Sequence, residues 1–270
     1  MTSLKRWLTS IGIGGLLMAL GSSLPAIALE PEEINRRLQE IPVFTVTDSS
    51  GAPLVARVEE QLYAGVFITP QAAIAFRESV VRENPAFADQ VRVTPVSLEE
   101  IYALDQQQAA LRAAANQAPG TAEEPVDFVY VPSPNQVEFA ESLIPENLEI
   151  DGVPLFAVKV NDAGVAANDN SVSYITLPRM MRNAEGALVE TGEVFVPFFF
   201  SREQAQELAR QFDASQERQG NASKTAVLEV HTLEILLDNW ERLNEPGLSQ
   251  IWLVPDPDSL DYVNQGAPAS

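Results

Sequence analysis

Four short apolar blocks of this chain occur twice, in the same order. Ile41-Pro42-Val43-Phe44-Thr45-Val46 returns as Val153-Pro154-Leu155-Phe156-Ala157-Val158. Val66-Phe67-Ile68-Thr69, with Ala73, Phe76 and Val80 after it, returns as Phe198-Phe199-Phe200-Ser201 with Ala205, Leu208 and Phe212. Val91, Val93, Val96 and Ser97-Leu98-Glu99 return as Ala226, Leu228, His231 and Thr232-Leu233-Glu234. Phe128-Val129-Tyr130-Val131-Pro132-Ser133-Pro134 returns as Ile251-Trp252-Leu253-Val254-Pro255-Asp256-Pro257. The offsets are 112, 132, 135 and 123 residues, a drift that loop insertions and deletions produce. Such a pattern predicts one unit written twice, with a pseudo-twofold relation between the copies.

The first 28 residues read as a targeting segment. Lys5 and Arg6 precede an apolar stretch of ten residues, 11–20, and Ala26-Ile27-Ala28 supplies small residues for cleavage after Ala28. The stretch is too short and glycine-rich for a stable membrane span. An uncleaved anchor is the competing reading. The division predicted is a signal peptide at 1–28, a first repeat with an N-terminal helix at 29–147, and a second repeat at 148–270. Loss of Lys5 and Arg6 takes the formal net charge from −21 to −23. So acidic a chain is repelled by phosphate backbones, which disfavours nucleic acid as a partner. The sequence has no cysteine, which excludes disulfides and thiolate chemistry.

Periodicity predicts an α+β chain of mainly antiparallel strands with packed helices. Pro31, Glu32 and Glu33 suit a first helical turn, with Ile34, Leu38 and Ile41 on one face. In the first repeat, strands are expected at 43–46, 53–58, 63–68, 91–96 and 128–131, with a turn at Asp48-Ser49-Ser50-Gly51. Thr69 and Pro70 begin one helix, and Ser97-Leu98-Glu99-Glu100 a second. Residues 106–115 can extend that second helix, and the rest, to Pro125, is expected to be a mobile loop. The second repeat follows the same plan, with a turn at Asn161-Asp162-Ala163-Gly164, an insertion at 166–192, a strand at 194–200, a helix starting at Ser201 and Gln204, a polar loop at 213–224, a strand at 227–231, a helix at 232–242 and a strand at 251–254.

The residues assemble no catalytic or metal signature. His231 is the single histidine and reads as a partly buried core residue. Glu99 and Glu234 occupy matching first-turn positions, where carboxylates serve amide hydrogens. Asn161-Asp162 and Asn168-Asp169-Asn170 lack the spacing of a calcium loop and read as turns. Asn221-Ala222-Ser223 is formally a glycosylation sequon. No cofactor is expected. Phe195, Phe198, Phe199 and Phe200 put aromatic rings on both sides of one strand. They mark either a central strand with apolar cover on both faces or one wall of a hydrophobic groove.

The block Ile-Pro-Val-Phe-Thr-Val with a following turn, then Gly65-Val66-Phe67-Ile68-Thr69 leading into Gln71-Ala72-Ala73, then Val-Pro-Leu-Phe and a second strand–Ser–helix block, resembles the Tic-twenty-two (Tic22) family over residues 34–254. These are soluble intermembrane-space components associated with the chloroplast inner-envelope translocon, with cyanobacterial relatives; the bacterial-type signal fits a cyanobacterial member. The resemblance implies a duplicated α+β fold with hydrophobic pockets and no catalytic residues. It also implies a periplasmic, chaperone-like role in protein transport and outer-membrane biogenesis, peripheral membrane association, unfolded or outer-membrane clients and the Omp85-type assembly machinery as partners. It leaves room for a thylakoid-lumen pool.

On this reading the candidate client-binding residues are Val66, Phe67, Ile68 and Phe76 in the first repeat and Phe198, Phe199, Phe200 and Leu208 in the second. Addition of a client strand to a free sheet edge is a second mode of binding. The alternatives are a scaffold docking through Val131-Pro132-Ser133-Pro134 and Val254-Pro255-Asp256-Pro257, pieces that otherwise read as strand terminators, and an enzyme on carbohydrate or peptide.

Overall fold

The structure is a computed structural model and describes residues 29–117, 124–162, 173–182, 186–221, 223–243 and 245–266. The signal segment, the tail of the loop after residue 117, Ala163-Gly164, Asn168-Asp169-Asn170, part of the 166–192 insertion and Ala222 of the sequon lie outside those residues. Among the described residues no helix is long and apolar enough to cross a membrane.

The first sheet is built from β1 (Pro42–Asp48), β2 (Val55–Val58), β3 (Gln61–Phe67), β4 (Val91–Ser97) and β5 (Val126–Val131). Helix α1 (Pro31–Leu38) precedes it, α2 (Pro70–Glu83) follows β3, and α3 (Leu98–Gln117) follows β4. Strand β1 pairs antiparallel with β4 along its length and with β3 through Phe44 opposite Phe67. Strand β5 lies parallel to β3, with Val129 opposite Gly65 and Val131 opposite Phe67. The turn after β1 is closed by Asp48, whose Oδ1 accepts the amides of Ser50 (2.8 Å) and Ala52 (3.0 Å), while Gly51 takes φ +92°.

The second sheet follows the same order. It contains β6 (Pro154–Asp162), β7 (Ser173–Tyr174), β8 (Leu177–Arg182), β9 (Leu188–Phe199), β10 (Lys224–Thr232) and β11 (Ile251–Val254). Helix α4 (Pro134–Ser142) precedes β6, α5 (Arg202–Arg218) follows β9, α6 (Leu233–Arg242) follows β10, and α7 (Pro257–Asn264) follows β11. Strand β6 pairs antiparallel with β10 and meets β9 at Phe156 opposite Phe199; β11 lies parallel to β9. Bonds outside the ladders also correspond. Leu98 N–H donates to Ile41 O at 2.8 Å, and Leu233 N–H to Val153 O at 2.9 Å. Ile68 N–H donates to Val131 O and Phe200 N–H to Val254 O, both at 3.2 Å.

By compactness the described residues form two units that interleave in sequence: those within 32–135 together with 255–266, and those within 29–31 together with 136–254. A division at 147/148 therefore does not follow the compact units, since α7 belongs to the first sheet's unit and α4, from Gln136 on, to the second's. In the first unit Phe44, Val46, Phe67, Ala73 and Val91 form a core with Tyr262 of α7 packed against it. In the second, Phe156, Val158, Phe199, Ala205, Ala209, Val230 and Ala140 of α4 form the corresponding core. Burial of each aromatic contributes about 2–3 kcal/mol. In α1, Ile34 and Leu38 are buried, and the buried Arg37 is paired with Glu33 at 2.7 Å.

Residues 106–115 extend the second helix in line with the sequence reading, because the Gln- and Ala-rich run favours helix once Ser97 has started it; Ser97 Oγ accepts Glu100 N–H at 3.1 Å. Several other elements differ from the sequence expectation. The loop expected at 213–224 begins later, since α5 runs to Arg218. The 166–192 insertion contains β7, β8 and the start of β9. The last strand of each sheet joins in parallel, which apolar periodicity does not encode. Both proline-rich pieces start helices: Pro134 and Pro257 stand first in α4 and α7, and Asp256 caps α7 by accepting Asp258 N–H at 2.9 Å.

Two glycines give a matched test. Gly51 has φ +92° and nothing within 4 Å of an added Cβ, whereas Gly152 has φ +111° and its Cβ would overlap Glu234 Oε2. Gly51→Ala is expected to cost about 1 kcal/mol from backbone strain alone. Gly152→Ala is expected to cost about 3 kcal/mol or more, because Glu234 must also leave. Urea unfolding of the two variants checks the order; equal costs would refute it.

Candidate functional site

In both sheets the aromatic-rich block ends one central strand and leads into a helix. Alternation sends its side chains to two faces. Phe67 and Phe199 share the helix-covered face with Phe44 and Phe156, their partners in register. Val66, Ile68, Phe198 and Phe200 point to the opposite face. All six candidates on the strands are buried, none more than 6% exposed. Leu208 is partly buried against the second core. Phe76 alone of the eight is exposed, at 36%, with its ring 5.2 Å from that of Phe67. The structure thus brings Phe67 together with Phe76, and Phe199 with Leu208, and leaves only the helix residue of each pair accessible. A polypeptide would reach the buried six only by displacing what covers them.

The two blocks are chemically unequal at their open ends. In the first sheet the Phe67 ring lies over Gly65, where an added Cβ would stand 3.0 Å from the ring. Val129, opposite Gly65, is 44% exposed, so Phe76 and Val129 flank an apolar surface. In the second sheet the positions of Gly65 and Val129 are held by Pro197 and Trp252, and Arg179 stacks on the Trp252 ring at 4.1 Å. A cation on that ring turns the open end polar. The sequence signal for this difference was the pair of residues facing each other across the parallel strands, which is readable only once that pairing is known.

Further exposed apolar side chains sit on the β2–β3 and β8–β9 hairpins. Val55 and Val58 are exposed on β2, Met180 and Met181 on β8, and Val189 and Val194 on β9. Met181 stands opposite Val189 in register, so they share a face. Apart from Met1 and Met18, these two are the chain's methionines. Methionine there is a flexible, polarisable contact rather than a core filler. None of these residues is among the eight candidates, because exposed apolar positions in a hairpin give no periodic signal.

On the other face of the second sheet the ionisable groups gather around Glu229. Its carboxylate accepts Tyr174 Oη–H at 2.6 Å and Lys159 Nζ–H at 3.2 Å. His231 Nε2 lies 3.4 Å from Glu229 Oε2, within ion-pair reach but without hydrogen-bond geometry, and its ring stacks on Phe198 at 4.7 Å. Burial opposes ionisation of Glu229, but the approach of His231, the Tyr174 hydroxyl and the Lys159 charge outweigh it and bring its pKa to about 2. Burial and the same carboxylate push the Tyr174 phenol up. Glu203 is likewise near 2: burial works against it, and bonds from Gln136, Arg202 and Ser201 prevail.

Glu234 behaves oppositely. Both its oxygens accept Val153 N–H, at 3.1 and 3.0 Å. Burial, aided by nearby Asp151, raises its pKa to about 7 against the opposing amides. In the first sheet the matching amide, Ile41 N–H, donates to Leu38 O instead. Among the described residues no three His, Cys, Asp or Glu side chains converge as metal ligands. Around Glu229 the groups neutralise one another, and the arrangement positions strands β6, β7 and β10.

The profile of the Tic22-like family matches residues 16–260. No curated protein matches the chain. Among solved structures, Anabaena Tic22, described with protein transport, is similar at 22% identity and a TM-score of 0.64, covering 90% of this chain and 100% of that one. Tic22 from Plasmodium falciparum is similar at 16% identity and a TM-score of 0.62, covering 86% and 96%. At these identities the likeness concerns the fold.

The Glu234 geometry gives a signed pH dependence. With a folded pKa near 7 against the ordinary carboxyl value of 4.5, the folded state takes up a proton before the unfolded chain does. The contribution of Glu234 to stability therefore rises as pH falls through 7 and is complete below 4.5. Glu234→Gln keeps an acceptor for Val153 and removes the titration. Its gain over the wild type in urea unfolding free energy is expected to be larger at pH 8 than at pH 5 by about 2 kcal/mol. A difference that does not change with pH would refute the assignment.

Proposed function

We propose, from the premise that this chain belongs to the Tic22-like family, that it is a non-enzymatic, chaperone-like carrier for polypeptides in transit. On this proposal the chain is exported, cut after Ala28, and works in the periplasm in outer-membrane biogenesis. Its partners are unfolded or outer-membrane clients and the Omp85-type assembly machinery, and a thylakoid-lumen pool belongs to the same proposal. The description of Anabaena Tic22 with protein transport supports it.

The observation that carries the reading is the accessible apolar surface, Phe76 and Val129 beside the Phe67 ring, together with the hairpin residues Met180, Met181, Val189 and Val194. These are set in a chain of net charge −21. Apolar contact holds an extended client weakly, and the acidity favours basic segments and keeps the complex dissolved. The eight candidates enter this proposal in two roles. Phe76 and Leu208 meet the client, and the six strand residues form the floor that holds them. We also propose that the two matching sheets descend from one duplicated unit. A scaffold role has less to rest on, because the proline pieces offered for docking start helices.

The test is light scattering from a urea-unfolded outer-membrane barrel protein on dilution. Saturable suppression near stoichiometric amounts is expected, absent with an equally acidic control protein. A Phe76→Ser/Met181→Ser variant is expected to lose most of the suppression while its stability changes by about 1 kcal/mol or less. Phe198→Ser is expected to cost about 3 kcal/mol or more in stability, because a buried ring is replaced by a hydroxyl. No suppression by the folded wild type, or full suppression by the double variant, would overturn the proposal.

A further inference from the structure

Each sheet seats one short helix, and the two seats are filled by different chemistry. In the second unit α4 is fastened by an amide and an aromatic ring. Gln136 Oε1 accepts Arg202 N–H at 3.0 Å, and Gln136 Nε2 donates to Glu203 at 2.9 Å. Phe139 lies 5.7 Å from Phe156 and is covered by the Arg202 guanidinium at 5.0 Å. In the first unit α7 places Ser259, fully buried, with its hydroxyl donating to Ile68 O at 2.9 Å. Three residues on, Tyr262 meets the Phe44 ring edge-on at 5.2 Å and 85°. An exposed bond from Gln71 to Asp258, at 3.0 Å, joins the helix to α2.

The rest of α7 is poorly covered. Leu260 and Val263 are 39% and 44% exposed. The helix has eight residues, too few to persist alone in water, so it would lose its shape on leaving the seat. What occupies the seat also defines what fits it. Phe44 offers an apolar floor, and the Ile68 carbonyl asks for a small hydroxyl donor one helical turn from an aromatic ring.

We propose that this seat is an exchangeable docking site, filled by α7 at rest and by a short amphipathic helix of a client, bearing Ser or Thr three residues before an aromatic, when α7 is displaced. The proposal rests on the client-carrier reading and adds where one class of client segment binds. It makes α7 a built-in competitor, so affinity for such a segment depends on how tightly α7 is held.

The test uses the full chain and a fluorescent peptide of residues 255–266, followed by anisotropy. Tyr262→Ala weakens α7 and is expected to bind the peptide about tenfold more tightly than the wild type. The chain has no cysteine, so Gln71→Cys/Asp258→Cys can be bridged by a short bis-maleimide that fastens α7 down. The bridged protein is expected to bind no peptide, and the unbridged double variant to bind at least as well as the wild type. A peptide with Ala in place of its tyrosine is expected to lose about tenfold. If Tyr262→Ala fails to fold by circular dichroism, Gln71→Ala/Asp258→Ala carries the same expectation from the surface. Equal binding by bridged and weakened proteins, or none by a folded weakened protein, would overturn the seat. Unchanged suppression of barrel-protein aggregation by the bridged protein, with no peptide bound to any form, would overturn the seat and leave the carrier reading standing.

Discussion

The fold depends on one contact made in each sheet, an aromatic pair facing across the two central strands. Phe44 stands opposite Phe67, and Phe156 opposite Phe199. All four rings are buried. Each pair fixes the register of its strands, because a slip by one residue would send both rings to the other face. It also fixes where the helices sit, since Ala73 and Ala205 are small enough to bring α2 and α5 down onto the rings. The apolar residues on the opposite faces of β3 and β9 then follow from strand alternation. An aromatic run that covers two faces marks a central strand, and that role removes most of it from contact with anything outside the core.

Much of this was legible in the chain. The repeated blocks located the matching strands, and Ser97, Pro70 and Ser201 marked helix starts. His231 was expected as a partly buried core residue and stacks on Phe198. The misses have identifiable causes. The proline-rich pieces do terminate their strands, at Val131 and Val254, but the sequence reading lacks the helices that Pro134 and Pro257 open, although Asp256 followed by a proline is how a helix opens. Parallel addition of β5 and β11 is a tertiary choice that no local pattern records. The candidate surface suffered most. The eight residues were chosen for apolar density, and density is what a core requires; only Phe76, on the outer side of α2, is both apolar and exposed.

The charges divide along the same line between inside and outside. Glu229 and Glu203 remain ionised because each is met by donors or cations. Glu234 is held by amides alone, with Asp151 as a like-charged neighbour, and so burial prevails. It spans the turn at Gly152 in a way that no other residue type at that position would permit. The remaining excess of negative charge bears on solubility rather than on the fold.

On the carrier proposal a bound polypeptide has to be released, and the geometry limits how tightly it is held. If the buried blocks were open they would present continuous aromatic surface in both units. Instead the accessible apolar residues include one ring and one valine on the first sheet, Leu260 and Val263 on α7, and residues of two hairpins, while Arg179 covers the Trp252 ring on the second sheet. A patch of a few hundred Å² contributes several kcal/mol at about 25 cal/mol per Å², and lost freedom on association offsets most of it. On the carrier proposal, a segment held by such patches is bound weakly and leaves readily.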